Sequence, residues 1–261
     1  MDRRVTSKNT RYLSLANLIG SIGHETFHEA LLNYLGQLVE NDSALIVVFD
    51  GNKMPSVCCD QLLPAQRSCI YETWMNGVFE LGPYYNIHRL DKQDGLYMLS
   101  DIAPDNFQAS EYFKLYYRLI KQSDMAGYMI KVGENLHVVV FLSRIAGNSR
   151  FSSKTRRILK SIAPVVINAV VKHWETNKKG PRSKKGGKSR ELLKSFGSLI
   201  LSEREYEIVH LFLRGHSTKN IGFSLSITDH TVRAHLKHAY RKLKVRSQGE
   251  LFSLLLRHLD V

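Results

Sequence analysis

Residues 201–256, LSEREYEIVHLFLRGHSTKNIGFSLSITDHTVRAHLKHAYRKLKVRSQGELFSLLL, constrain the fold of this chain more than any other stretch. Ser202 with Glu205 has the spacing of a capping box, in which hydroxyl and carboxylate each satisfy an orphan amide at a helix start. Ile208, Leu211 and Phe212 follow at helical spacing, and Gly215 supplies a stop. Ser217 opens a short second helix that turns Ile221 and Leu225 inward. Ser226, Ile227 and Thr228 make a tight turn, with Thr228 able to cap a third helix running through Leu243. Ser247 and Glu250 form another capping box before a last apolar helix. Four short helices with a tight turn between the second and third predict an all-α helix-turn-helix domain.

The third helix carries the chemistry. Val232, Leu236, Ala239 and Leu243 face a core, which sends Arg233, Lys237, Arg241, Lys242 and Lys244 outward. A helix entering a major groove meets base edges near its N-terminus. Arg233, Ala234 and Lys237 lie about one turn apart and can reach the same groove floor. Thr231, His235 and Arg241 are better placed for phosphates. On periodicity alone, a merely solvated basic face remains an equal reading.

This stretch resembles the DNA-binding domain of the LuxR family of bacterial transcription regulators. The family's L-[ST]-x-R-E opening is matched by Leu201, Ser202, Arg204 and Glu205. Its G-x-S-x-K-x-I segment is matched by Gly215, Ser217, Lys219 and Ile221. Leu225, Ile227, Thr228, Thr231, Val232, Arg233 and His235 match its centre, and Lys242, Leu243, Val245 and Ser247 its end. Asn220 stands where a Glu is usual, Gly222 where an Ala is usual, and Gln248 where an Arg is common. Gly222 is expected to loosen the second helix by about 1 kcal/mol. The resemblance implies a sequence-specific, DNA-binding transcription regulator working on double-stranded DNA as a homodimer. Arg233, Ala234 and Lys237 would read bases, and Lys219, Thr231, His235 and Arg241 would position the backbone. Leu251, Leu254 and Leu255 on the last helix would pair the subunits. RNA polymerase follows as a further expected partner.

Charge agrees with that destination. Residues 176–190 carry seven Lys/Arg and no acid, and residues 191–261 carry eleven against seven. Residues 1–175 are nearly balanced, nineteen against seventeen, so the net +13 gathers where phosphates would be. The segment ETNKKGPRSKKGGKSR has no apolar residue and reads as an extended basic linker, either a phosphate-attracting arm or a plain tether. Two domains and a linker follow: 1–175, linker 176–190, and 191–261. No stretch approaches a membrane span or a secretory signal. Cys58, Cys59 and Cys69 lack metal spacing, so a reduced, cytoplasmic protein without metal or cofactor is expected.

The first 175 residues read as α+β. A helix is predicted over 21–40, a buried strand over 44–50, a hairpin turn at 52–53 and a helix from Pro64. GPYYN is expected to be a break, LYMLSDI (96–102) a strand, and Ser110–Lys121 an aromatic helix. Two strands meet around Gly133-Glu134-Asn135, and Ser152 or Ser153 caps a long helix to about Trp174, bent at Pro164. This order predicts an antiparallel sheet covered by helices and resembles GAF or PAS-like domains. The stretch from Pro83 to Trp174 is similar to a module found ahead of LuxR-type helix-turn-helix domains, which suggests a sensory or dimerising role. The alternative is a small-ligand or protein-interaction module whose helix-turn-helix serves only as an interaction surface.

Other chemistries find little support. Asp50 ends a strand, as in a phosphoacceptor receiver, but the acidic pair and late Lys that would hold Mg²⁺ and phosphoryl oxygens are not in place. Trp74, Phe79, Tyr84, Tyr85, Tyr97, Phe107, Tyr112 and Tyr116 could line a small-molecule pocket, though aromatics more often form plain core. The aromatic-acid signature of acyl-homoserine-lactone binding is not legible. His235 and His238 lie on the DNA helix, and no catalytic triad, phosphate loop or paired-carboxylate motif appears, so catalysis is not expected. A second helix seam for dimerisation, residues 21–40 with 153–174, stays open.

Overall fold

The computed structural model describes residues 3–177 and 192–259. Their packing divides into two compact units. Within the described residues, the first takes 3–64, 87–101 and 122–177, and the second takes 65–86, 102–121 and 192–259. The aromatic segments 65–86 and 102–121 thus group with the helix-turn-helix and not with the sheet, which differs from the expected division after residue 175. The basic linker lies almost wholly outside the described residues.

The first unit is built on a five-stranded, wholly antiparallel sheet in the order β2-β1-β5-β4-β3. Its strands are β1 (Ser43–Asp50), β2 (Ser56–Gln61), β3 (Gly95–Met98), β4 (Gln122–Gly133) and β5 (Leu136–Ile145). The unbroken apolar run of β1 fits its interior place between β2 and β5, because a strand buried on both faces has no reason to alternate. Ile46 pairs with Val140 and Val48 with Val138 across β1 and β5. The β4–β5 hairpin turns through Asn135 in the left-handed region, φ 51°, which asparagine tolerates better than most. A receiver would need a parallel sheet, and Asp50 instead closes a turn with Lys53, Nζ to Oδ2 2.7 Å.

One face of the sheet carries α2 (Phe27–Leu38) and α6 (Ser153–Thr176), with α1 (Arg3–Gly20) on α2. Leu31, Leu35, Ile46, Tyr128, Val140, Leu159 and Val166 form the middle of this core. Ser152 caps α6 by accepting from Thr155 N at 3.1 Å, as one of the two expected serines. Pro164 sits inside α6, and Asn168 Nδ2 donates to its carbonyl at 2.8 Å. His173 on α6 stacks on Phe27, ring centroids 4.0 Å apart, and its Nδ1 accepts from Gly23 N at 3.1 Å.

Three local expectations are corrected. The helix predicted over 21–40 begins at Phe27, and α1 precedes it. The strand over 96–102 stops at Met98 and turns into α5 (Leu99–Ile102). GPYYN is no break but the start of α4 (Pro83–Arg89), because proline at the first helical position lacks only an amide that would be orphaned anyway.

The second unit joins α3 (Pro64–Glu72), shared with the first at Pro64, to a packed aromatic group and the C-terminal helices. Trp74 meets Phe79 edge-on, Tyr112 and Tyr116 stack at 5.6 Å, and Phe107 touches both Tyr112 and Tyr117. These rings fill space against one another as core. Burial pushes the phenols of Tyr112, Tyr116 and Tyr117 above their ordinary range, so they stay neutral. Tyr97 lies apart, on β3 in the first unit. Burial likewise raises the Cys58 thiol to about 12, with Cys59 adding to the effect, so it is no thiolate.

Candidate nucleic-acid interface

Four helices make the C-terminal domain: α8 (Glu203–Leu213), α9 (Thr218–Ser224), α10 (Asp229–Leu243) and α11 (Gln248–His258), after the single turn α7 (Leu192–Ser195). Each starts on the residue that its sequence offers, although the second expected capping box is incomplete, since Glu250 Oε2 accepts from Arg246 N at 2.8 Å and not from Ser247 N. Ser202 Oγ accepts from Glu205 N at 3.3 Å and Glu205 Oε2 from Ser202 N at 2.8 Å, a complete capping box. Ser217, Thr228 and Ser247 accept from the amides of Asn220, Thr231 and Glu250, each at 3.1 Å. Gly215, φ 96°, ends the first helix in the left-handed region. Ser226, φ 55°, makes the turn between α9 and α10.

Gly222 proves to be more than a loosened helix position. A Cβ there would stand 2.7 Å from Ile227 O, so α9 and the turn approach closer than a methyl group allows. The apparent departure from alanine is a steric fit.

On α10, Val232, Leu236, Ala239 and Leu243 are buried as expected. Arg233, Ala234, Lys237 and Arg241 are exposed, as is Lys219 on α9. Arg233 Nε donates to Asp229 Oδ2 at 2.8 Å, four residues back. The Thr218 hydroxyl and then Arg233 hold the Asp229 carboxyl below its ordinary range. Thr231 is half-buried, its hydroxyl 2.8 Å from that of Thr228, and His235 is half-buried too. Arg233, Lys237, Arg241 and Arg246 line one groove with Phe212, Leu236, Tyr240 and Val245.

Lys242 is exposed as expected but is also engaged. Its Nζ meets Glu205 Oε2 at 2.6 Å and so ties α10 to the start of α8. Lys244 stays exposed but serves as the left-handed C-cap of α10, φ 55°. Of the expected dimer stripe, Leu251 and Leu255 are buried, as are Phe252 and Leu259, while Leu254 is partly exposed.

Two features escaped the sequence reading. His230 is exposed and lies four residues before Ala234, as His238, already placed on this helix, lies four after it, on the face that Lys237 and Arg241 share. The i, i+4 spacing could have found His230. The second feature is a clamp on α9. The Asp105 carboxylate accepts from Ser217 N at 3.0 Å and from the Ser217 hydroxyl, while Asn106 N donates to Gly215 O at 3.0 Å. Burial pulls the Asp105 pKa up, but hydrogen bonds from Ser217 and Asn220 outweigh it and the net shift is down.

Residues 199–255 match the family model for bacterial regulatory proteins, luxR family. The spore germination protein GerE of Bacillus subtilis is 36% identical over 58 residues, 22% of this chain and 78% of GerE. This chain belongs to the luxR family. As a luxR-family chain it is a transcription regulator, with the helix-turn-helix at its C-terminal end. An HTH-type transcriptional regulator of Aeromonas salmonicida is 28% identical over 174 residues, covering 63% of this chain and 88% of that protein. Of several other luxR-type relatives the chain spans only 23–28% of the length. Among solved structures, the LBD domain of VqsR from Pseudomonas aeruginosa shares the N-terminal fold, with TM-score 0.56 at 21% identity over 63% of this chain and 96% of that one. Among the described residues no helix is long and apolar enough to cross a membrane, and no three His, Cys, Asp or Glu could hold a metal ion.

Proposed function

We propose that the chain binds duplex DNA sequence-specifically as a homodimer, under control of a signal received by residues N-terminal to the helix-turn-helix, and has no catalytic step. The observation that carries the reading is the exposed, cationic outer face of α10 on a fully capped, well-packed helix-turn-helix. Arg233, Ala234 and Lys237 would meet base edges. Lys219, Thr231, His235 and Arg241 would set the register on the backbone, and RNA polymerase would be met in turn at the promoter. The helix-turn-helix as a mere protein-interaction surface has no observation that favours it over this reading.

Salt separates the two. Binding to promoter fragments from the host should weaken steeply with added salt as counterions are released. Lys219→Ala should weaken all sequences alike and reduce the slope by about one. Salt-independent binding, or none to any fragment, would overturn the proposal.

Pairing is assigned to the outer side of α11 around Leu254, the member of the expected stripe that a partner can reach. The signal is read as a small molecule, from the likeness of the N-terminal fold to the VqsR domain. Native mass spectrometry of protein purified from its own host should show a dimer mass with a retained small molecule. A monomer, or an empty dimer with no melting shift across a metabolite panel, would remove the respective half.

A further inference from the structure

At one end of the sheet a chain of nitrogens runs through the first unit. His88 in the last turn of α4 and His137 on β5 are both buried, their Nδ1 atoms 2.9 Å apart and their rings at 86°. His88 Nε2 lies 3.0 Å from Gly51 O in the turn after β1. At the other end, His137 Nε2 lies 3.5 Å from Asp91 Oδ1. That nitrogen has no hydrogen-bond partner among the described residues, although its ring is wholly shielded from solvent. Asp91 is held toward it in a left-handed backbone, φ 46°, with its other oxygen 2.6 Å from Lys131 Nζ.

A count of hydrogens decides what this arrangement does. Both ends of the chain, the Gly51 carbonyl and the Asp91 carboxylate, can only accept. Between them are three links, and each needs one hydrogen. Two neutral imidazoles bring two. One link must stay empty, and the distances say which one. At 3.0 and 2.9 Å the first two links are hydrogen-bonded, and at 3.5 Å the third is not. His88 therefore carries its hydrogen on Nε2 and accepts at Nδ1. His137 carries its hydrogen on Nδ1, which leaves a bare lone pair facing a carboxylate.

We propose that His88, His137 and Asp91 form a built binding site for one proton, delivered to His137 Nε2 past the half-exposed Asp91 carboxylate and shared along the chain. Uptake makes one N–H bond, breaks none within the protein, and completes the third link. A second proton is excluded, because two imidazolium rings would then face each other at the Nδ1 contact. The pair titrates as a unit. Burial opposes uptake most strongly at both rings. The Gly51 carbonyl, Asp91 and Asp50 favour the charge at His88 and Arg89 opposes it, while at His137 the His88 ring and Lys131 oppose it and Asp91 and Asp94 favour it. The balance holds both rings below the ordinary histidine value of 6.5, so the site is empty at neutrality and fills on acidification. A depressed folded value also means that stability is full above pH 6.5 and falls as the pH drops below it. Asp91 limits that fall. The N-terminal unit thus acquires a response to acidity whatever the helix-turn-helix binds.

Long-range proton–nitrogen correlation spectra of the ¹⁵N-labelled full-length protein test this. At pH 7.5 His137 should be the Nδ1–H tautomer and His88 the Nε2–H tautomer, and acidification should add one proton to the pair. In Asp91→Asn the side-chain amide can donate to the bare nitrogen, so no hydrogen is missing. Asparagine also tolerates the left-handed backbone, and the variant's spectrum away from the site should be unchanged. Its uptake midpoint should fall by about one pH unit or more. An Nε2–H tautomer of His137 at pH 7.5, independent titration of both rings, or an unmoved midpoint in Asp91→Asn would each overturn the proposal.

Discussion

Glu205→Ala is expected to destabilise the helix-turn-helix domain by about 2–3 kcal/mol, read as a shift of its unfolding midpoint. One carboxylate oxygen serves two partners there, Ser202 N at 2.8 Å and Lys242 Nζ at 2.6 Å. The Glu205 side chain is 5% exposed and that of Lys242 39%. Breaking a fully buried pair costs about 3–5 kcal/mol because the survivor is stranded without water. Lys242 is not stranded, since it can turn to solvent, so the loss falls below that range. What remains is half of a capping box, at about 1 kcal/mol, and one charge-assisted hydrogen bond at about 1.5 kcal/mol. Glu205→Gln keeps an oxygen for Ser202 N and should lose less than the alanine variant. Burial pushes the Glu205 carboxyl up, but hydrogen bonds from Lys242 and Ser202 and the Lys242 charge outweigh it, so the net shift is below 4.5. A depressed folded value gives stability present above pH 4.5 and lost as the pH falls through it. The gap between wild type and Glu205→Ala should therefore shrink on acidification, and a gap constant from pH 7 to 3 would refute the ionic part of the account.

The C-terminal domain was legible because its signals are local. Ser202 with Glu205, and Ser217, Thr228 and Ser247, each act on an amide within three residues, so a single sequence carries the whole interaction. The buried stripe of α10 and the two-sided apolar runs of β1 and β5 were readable for the same reason. What failed was information that sequence spacing does not hold. Leu251 and Leu255 lie on an apolar stripe, and a stripe states that it is covered without stating by what. The YMLSDI run has no period, so nothing marked Met98 as the end of a strand. Arg3–Gly20 is mostly polar and offers few apolar residues to set a helical period. Asp105 finds Ser217 across 112 residues, and no single sequence pairs an aspartate in a loop with a serine that already has a capping role. His88, His137 and Asp91 were invisible as a group, because their chemistry lies in which nitrogen faces which.

Arg233→Ala is expected to weaken binding to the preferred operator by about 1–3 kcal/mol, roughly 5- to 150-fold, and to relax preference at one base pair. In the free protein the guanidinium is engaged by Asp229 at 2.8 Å, with side chains 66% and 40% exposed. A pair so exposed contributes about 0–1 kcal/mol, less than a bidentate contact to a guanine edge, so a groove carrying the right base wins the side chain. A groove with the wrong base does not repay the exchange, and Arg233 stays with Asp229. The pair therefore adds to discrimination, since the arginine is withheld from duplexes that offer it only phosphates. On that argument Arg233→Ala should leave affinity for a shuffled duplex nearly unchanged, in contrast to Lys219→Ala, which should weaken both duplexes. Fluorescence anisotropy with operator and shuffled duplexes at one fixed salt concentration separates the two patterns. Equal losses on both duplexes after Arg233→Ala would assign the residue to the backbone and leave base reading to Lys237 and its neighbours on the outer face of α10.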